Sequence, residues 1–173
     1  MKIERKWCMP SKDTFSIKPI KDLMDGYVER LPENGVVIDP FVGLSPYKDI
    51  CVSNDLNPEI KASCNMDALE FLKSCTTGIC DLFFYDPPYS VRQVSECYKS
   101  LGMTVNMETT QSTFWSNLKK EIKRIVKQDG IVISFGWNSG GIGKTNGFKI
   151  EEILLVPHGG PHNDTIVTVE RRV

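Results

Sequence analysis

Short apolar runs alternate along the chain with segments in which apolar residues recur at helical spacing. Runs of roughly four to eight residues are typical of buried strands, and they occur at 36–39, 51–56, 80–85, 130–135, 149–156 and 165–170. Helical spacing predicts helices at 20–31, 67–75, 91–101 and 112–128. Because no repeat, low-complexity segment or linker interrupts this alternation, the pattern predicts a single α/β domain over residues 1–173.

The composition is that of an ordinary globular protein. The 173 residues are 40% hydrophobic and 25% charged. No apolar stretch approaches the roughly 20 residues that span a bilayer, and the polar start at residues 1–6 is followed by no signal-peptide core. We therefore expect a cytoplasmic protein with no membrane partner. Six cysteines without a Cys-x-x-Cys pair are expected to be reduced and structural, with no metal site.

The tetrapeptide Asp86-Pro87-Pro88-Tyr89 directly follows the predicted strand at 80–85. It places an acid, two rigid prolines and an aromatic ring at the carboxyl end of a strand, where α/β proteins bind ligands. Proline lacks a backbone donor and has a fixed φ, which leaves nearby carbonyls free to accept from a ligand. Asp86 and the Pro87 carbonyl could accept the two hydrogens of a nucleobase amine while Tyr89 stacks on the ring.

Two earlier strands also end in acids. The first runs into the turn Asp39-Pro40-Phe41-Val42-Gly43, and the second ends at Asp55. A glycine after the first strand allows close approach of the backbone to a ligand, and an acid at the tip of the next strand can bind both ribose hydroxyls. Together they predict a nucleoside site.

With these motifs in this order, most of the chain resembles the amino-group methyltransferases that use S-adenosylmethionine, above all the adenine-specific DNA methyltransferases of bacteria and phages. The resemblance implies a Rossmann-like methyltransferase fold, with a seven-stranded, mostly parallel sheet whose last strand is antiparallel. It assigns Asp86, Pro87, Pro88 and Tyr89 to catalysis. It also implies that the cofactor is bound by Lys18, Pro19, Ile20, Asp39, Pro40, Phe41, Gly43, Asp55, Leu56, Asp67 and Ala68.

The chain departs from that family in two ways. After Gly43 the usual helix is reduced to a turn, with Ser45 in place of a second glycine. Only a short stretch separates Gly43 from Asp86, so we expect no separate target-recognition domain. Substrate contacts are then expected from 90–113, 138–147 and 158–164, and the individual candidates besides Tyr89 are Asn138, Lys144, His158, His162 and Asn163.

These observations predict a methyltransferase acting on an exocyclic amine, with the N6 of adenine in DNA as the leading target. The first alternative is a methyltransferase for bases of ribosomal or transfer RNA. The second is a non-catalytic or partner-dependent subunit that binds nucleic acid, because the glycine motif is shortened. A net charge of −1 predicts weak binding to duplex DNA unless the protein forms a homodimer or recruits a specificity partner.

Overall fold

The structure is a computed structural model that describes residues 1–104 and 113–173. Seven strands form one sheet in the order β1-β6-β7-β5-β4-β2-β3. The strands are β1 (Lys2–Arg5), β2 (Val37–Asp39), β3 (Cys51–Ser53), β4 (Cys80–Tyr85), β5 (Val126–Gly136), β6 (Phe148–Val156) and β7 (Thr165–Arg172). Strand β7 is antiparallel to both of its neighbours, and the other pairs are parallel. The predicted fold class is therefore confirmed.

Four α-helices are described, and they pack on both faces of the sheet. They are α1 (Lys18–Val28), α2 (Ala68–Ser74), α3 (Val91–Ser100) and α4 (Thr113–Ile125). One core lies between the sheet and α2, α3 and α4, and the other lies between the sheet and α1 with the segment before it. Phe83 and Phe84, successive residues of β4, fill one core each because side chains alternate between the faces of a strand. None of the described helices combines the length and apolar character needed to cross a membrane.

The strand that the sequence pattern did not predict is β1. It pairs in parallel with β6 at the edge of the sheet. Its four residues include three charged ones, and its only apolar side chain, Ile3, is 58% exposed. Backbone pairing with β6, rather than burial of side chains, therefore holds this strand in place, and apolar patterning carries no signal for it.

The predicted helix at 112–128 ends earlier than expected. Helix α4 stops at Ile125, and β5 begins at the next residue, where Val126 pairs with Cys80. The pairing register then shifts, and Asp129 has a positive φ of 63°. Apolar residues at 125 and 126 fit helical spacing as well as strand pairing, so the prediction of helix to 128 was wrong. The predicted start at Ser112 lies outside the described residues.

Candidate active site

The carboxyl ends of β2, β3 and β4 surround the larger of two adjoining cavities. This first cavity has a volume of about 510 Å³. The turn after β2, the acid after β3 and the segment after β4 all line it, because parallel strands end at the same edge of the sheet. Of the predicted cofactor residues, it is lined by Pro40, Phe41, Asp55, Leu56 and Ala68.

The turn after β2 is held by Asp55. Gly43 has a φ of 47°, which favours glycine. Its amide donates to Asp55 Oδ2 over 2.9 Å, and the amide of Asn57 donates to Asp55 Oδ1 over 2.8 Å. Residues 43–50 form turns and no helix, so the predicted loss of the helix after Gly43 is confirmed. The Asp55 carboxylate fixes the two loops that border the first cavity.

Asp39 is fully buried and does not line the first cavity, although its neighbour Pro40 does. The Phe41 amide donates to its Oδ1 over 2.9 Å, and its Oδ2 is buried without a partner among the described residues. Burial raises the pKa of Asp39 to about 8, and the nearby carboxylates of Asp86 and Asp55 contribute in the same direction. Asp39 therefore carries a proton at neutral pH, which makes it a brace for the turn at Phe41.

Asp67 is connected to the wall of the first cavity through Tyr98. Its carboxylate caps α2, accepting from the amide of Leu69 over 2.8 Å, and it also accepts from the hydroxyl of Tyr98. Tyr98 and Ala68 line the cavity. The Asp67 carboxylate thus fixes the position of an aromatic ring that the sequence did not single out, because Tyr98 has the spacing of a buried helical residue in α3.

The predicted N-terminal cofactor residues lie away from this cavity. Lys18 is exposed and forms an ion pair with Asp22 at 2.9 Å, Pro19 lies in the first turn of α1, and Ile20 is buried in the core beneath that helix. Thr14 is the residue of this segment that lines the cavity. The N-terminal segment therefore borders the cavity through Thr14, just before the predicted cofactor residues.

The Asp86 carboxyl group lies in the first cavity next to two hydroxyls. Burial raises the pKa of Asp86 to about 6, while hydrogen bonds from Tyr89 and Thr14 act against this rise. The Tyr89 hydroxyl donates to Asp86 Oδ1, and burial beside this carboxylate raises the pKa of Tyr89. At pH 7 and above, Asp86 is ionised and can accept hydrogen bonds.

The backbone of the tetrapeptide is held by two neighbouring side chains. The Tyr89 amide donates to Gln93 Oε1 over 2.6 Å, and the Trp115 indole donates to the Pro88 carbonyl over 3.0 Å. No donor among the described residues is bonded to the Pro87 carbonyl. The Asp86 carboxylate and the Pro87 carbonyl therefore keep acceptor capacity for a ligand, and their role toward a nucleobase amine stays a prediction.

A second cavity of about 250 Å³ adjoins the first across the tetrapeptide. Pro87, Pro88 and Tyr89 line both cavities. The Tyr89 ring meets Trp137 edge to face, with 5.6 Å between ring centroids, and Trp137 is 43% exposed. The second cavity is thus an open, aromatic chamber next to the acceptors of the first.

Only one of the other predicted substrate residues reaches this chamber. Asn138 lines the second cavity, whereas Lys144 lies in a short 3₁₀ helix at Lys144–Asn146 and lines neither cavity. His158 is buried, with Nδ1 2.9 Å from the Cys8 carbonyl and Nε2 2.8 Å from Thr165 Oγ1, so it ties the N-terminal segment to β7. His162 and Asn163 are exposed in the loop after β6. Part of the predicted contact segment 90–113 lies outside the described residues.

No protein-family model matches the chain, and no curated protein matches it. Solved structures do. TrmN from Thermus thermophilus matches at 14% identity with a TM-score of 0.60, over 91% of this chain and 49% of TrmN. The chain thus spans about half the length of TrmN.

Two further structures agree in fold. The 1,6-didemethyltoxoflavin-N1-methyltransferase from Burkholderia thailandensis, with bound 1,6-didemethyltoxoflavin and S-adenosylhomocysteine, matches at 11% identity over 90% of this chain and 77% of that one, with a TM-score of 0.61. An S-adenosylmethionine-dependent methyltransferase from Archaeoglobus fulgidus matches at 11% identity over 89% and 93%, with a TM-score of 0.59. The fold of this chain is that of S-adenosylmethionine-dependent methyltransferases.

Proposed function

We propose that this protein is an S-adenosylmethionine-dependent methyltransferase that acts on an exocyclic amine of a nucleobase, with the N6 of adenine in DNA as the leading target. The observation that carries this proposal is the position of the Asp-Pro-Pro-Tyr segment between two cavities. A methyl donor in one cavity and a target amine in the other would meet at this segment, whose carboxylate and carbonyl oxygens can bind the amine.

The first cavity fits the cofactor. Its volume of about 510 Å³ lies in the range of small-molecule sites. Asp55 lies at the tip of the second strand, where an acid binds ribose hydroxyls in related folds. Pro40, Phe41 and Leu56 supply apolar walls, and Asp67 would hold the far wall through Tyr98. When bound, S-adenosylmethionine supplies an activated methyl group on a sulfonium.

Asp86 and the Pro87 carbonyl would make the target amine a better nucleophile. The lone pair of an aromatic amine is delocalised into its ring. Hydrogen bonds from the amine to Asp86 and to the Pro87 carbonyl favour the pyramidal geometry in which that lone pair is free. Asp86 can accept from both hydrogens most strongly when it is ionised, and hydrogen bonds from Tyr89 and Thr14 favour the ionised form. Positioning and electrostatics then supply the acceleration.

The second cavity is suited to the target ring. Trp137 and Tyr89 provide aromatic surfaces on which a base can stack. The small size of this chamber favours a base that is already unpaired, since extruding one from a duplex costs a few kcal/mol. We propose weak binding by the isolated protein to duplex DNA, with a homodimer or a specificity partner supplying further contacts.

Two measurements test this function. Tritium transfer from labelled S-adenosylmethionine to single-stranded DNA, duplex DNA, RNA and protein identifies the acceptor. In parallel, S-adenosylhomocysteine should raise the melting temperature, because a ligand bound only by the folded state stabilises it. Asp55→Ala should abolish most of that rise, whereas Asp49→Ala, at an exposed acid outside the cavity, should not.

Asp86→Ala separates chemistry from cofactor binding. This variant should keep the thermal shift and lose methyl transfer by orders of magnitude, mainly in kcat. A folded Asp86→Ala protein with nearly full transfer would contradict the mechanism. A wild-type protein with no thermal shift at millimolar ligand would point to a partner-dependent subunit, and transfer confined to RNA would identify an RNA base methyltransferase.

A further inference from the structure

Three unpaired hydroxyls lie in one row across the sheet. Tyr85 on β4 is directly paired with Ser134 on β5, and Ser134 is directly paired with Thr168 on β7. Directly paired residues place their side chains on the same face of a sheet. The three residues are 4%, 5% and 1% exposed, and their hydroxyls have no hydrogen-bond partner among the described residues.

Such a row is unusual, because buried polar groups in native proteins are nearly always hydrogen-bonded. An unsatisfied buried hydroxyl is destabilising, because it has given up its hydrogen bonds to water without replacing them. The row faces α2, α3 and α4, and the apolar residues of β4 and β5 on the same face, Phe83 and Val132, belong to the core there. Packing alone would be served better by phenylalanine, alanine and valine at the three positions.

Two of the three residues belong to the second cavity. Tyr85 and Ser134 line it, together with the catalytic segment, whereas Thr168 does not. Lys119 on α4 lines the same cavity, where burial lowers its pKa. The cavity is therefore bordered by a lysine on α4 and by two hydroxyl-bearing side chains on the sheet side, whose oxygens are covered in this structure. The acceptors, Asp86 and the Pro87 carbonyl, lie at the Asp-Pro-Pro-Tyr segment.

This distribution of donors and acceptors matches one chemical class of ligand. An aminated heterocycle presents donor hydrogens at its amine and acceptors at its ring nitrogens or carbonyls. With the amine at the catalytic segment, the rest of the ring would extend toward the floor of the second cavity. A hydroxyl can donate to either kind of ring acceptor, and doing so would satisfy a group that is otherwise unpaired.

We propose, on the basis of the function above, that Tyr85 and Ser134 determine specificity by donating hydrogen bonds to ring acceptors of the target heterocycle. Thr168 continues the row outside the cavity and makes no contact with the substrate. The same two residues thereby favour heterocycles over simple alkyl or aryl amines, which would gain no hydrogen bond from either hydroxyl.

The test compares Tyr85→Phe and Ser134→Ala with the matched control Thr168→Val. Each change removes one unpaired buried hydroxyl with little change in shape, so all three variants should melt at or above the wild-type temperature. Only Tyr85→Phe and Ser134→Ala should lose kcat/KM for the methylated substrate, by about tenfold each. Loss of stability in proportion to activity would instead indicate a structural role and would overturn the proposal.

Substrate analogues identify the contacted atom. Oligonucleotides whose target purine lacks one ring nitrogen (the 1-, 3- and 7-deaza forms) should include one that the wild-type enzyme methylates about tenfold less well. The Tyr85→Phe or Ser134→Ala variant that has lost that contact should not distinguish this analogue from the normal base. If both variants keep wild-type kcat/KM and wild-type discrimination among the analogues, the proposal is wrong while the proposed function stands.

A second experiment distinguishes failure of the proposed function from failure of the specificity proposal. If no nucleic acid is methylated, thermal shifts with millimolar adenosine, guanosine and cytidine, each with S-adenosylhomocysteine, test the cavity directly. A nucleoside-dependent shift that Tyr85→Phe and Ser134→Ala lose and Thr168→Val keeps supports the specificity role without DNA methylation. If the wild-type protein is inactive and shows no nucleoside-dependent shift, both the proposed function and the specificity role of Tyr85 and Ser134 are wrong.

Discussion

Replacing Tyr89 with phenylalanine should move the pH dependence of methyl transfer upward without removing the aromatic ring. The Tyr89 hydroxyl donates to Asp86, and this bond lowers a pKa that burial raises to about 6. The proposed reaction needs Asp86 ionised, so kcat/KM should rise with pH through about 6 in the wild-type enzyme and then level off. Without the hydroxyl, the rise should come at higher pH.

The size of the shift follows from the hydrogen bond that is lost. A hydrogen bond to a charged group contributes about 1.5 to 3 kcal/mol, which corresponds to roughly one to two pKa units. With a pKa of about 6, Asp86 is about nine-tenths ionised at pH 7. With a pKa near 7 or 8 the ionised fraction falls to about a half or a tenth. Tyr89→Phe should therefore lose roughly two- to tenfold activity at pH 7 and recover it near pH 9.

The assay is kcat/KM for methyl transfer between pH 5 and 9.5, since this ratio reports groups of the free enzyme. Tyr98→Phe is the matched control, because Tyr98 lines the same cavity but its hydroxyl donates to Asp67. It should leave the midpoint unchanged. Thr14→Val should shift the midpoint in the same direction as Tyr89→Phe. An unchanged midpoint in Tyr89→Phe, or activity that falls as pH rises through 6, would refute the assignment of Asp86 as the ionised acceptor.

Two further predictions concern stability. Burial raises the pKa of Asp39 from 3.8 to about 8, so the native state binds this proton more tightly than the unfolded chain and loses stability as pH rises between those values. Asp39→Asn should therefore gain several kcal/mol over the wild type in urea unfolding at pH 9 and little at pH 4, and an equal effect at both would contradict the shift. Gly141→Ala should cost at least twice as much stability as Gly160→Ala. Both glycines have positive φ, but only at Gly141 would a Cβ clash with the Glu170 carboxylate. Equal melting temperatures of the two variants would show that the Glu170 side chain moves aside at no cost.

The acids at the ends of strands were the part of the site that could be predicted from the sequence. Asp55 and Asp86 each follow a short apolar run, and parallel strands must bring their carboxyl ends to one edge. This local signal needs no knowledge of packing, and both residues line the first cavity. The reduction of the helix after Gly43 to a turn was equally predictable, because only residues 44–50 lie between Gly43 and β3 and they must also connect the two strands.

Residues that enter the site through packing could not be predicted in this way. Tyr98 and Trp115 lie on helices whose periodicity describes buried faces, and nothing in that spacing marks one apolar position as facing a cavity. Thr14 lies in a short 3₁₀ helix without apolar periodicity. The position of Lys18 has the same origin: α1 begins there with Ile20 and Met24 in the core, which directs Lys18 to solvent.

In the proposed reaction, the position of Tyr89 would make recognition and chemistry depend on one side chain. Its hydroxyl belongs to the first cavity, where it regulates the charge of Asp86, and its ring forms a wall of the second, edge to face with Trp137. A base that displaced the ring would also disturb the hydrogen bond to Asp86 and raise the pKa of that carboxyl group. A base that left the ring in place would find Asp86 ionised. Selection for correctly seated targets can therefore arise at the catalytic segment itself, in addition to the contacts that Tyr85 and Ser134 are proposed to make.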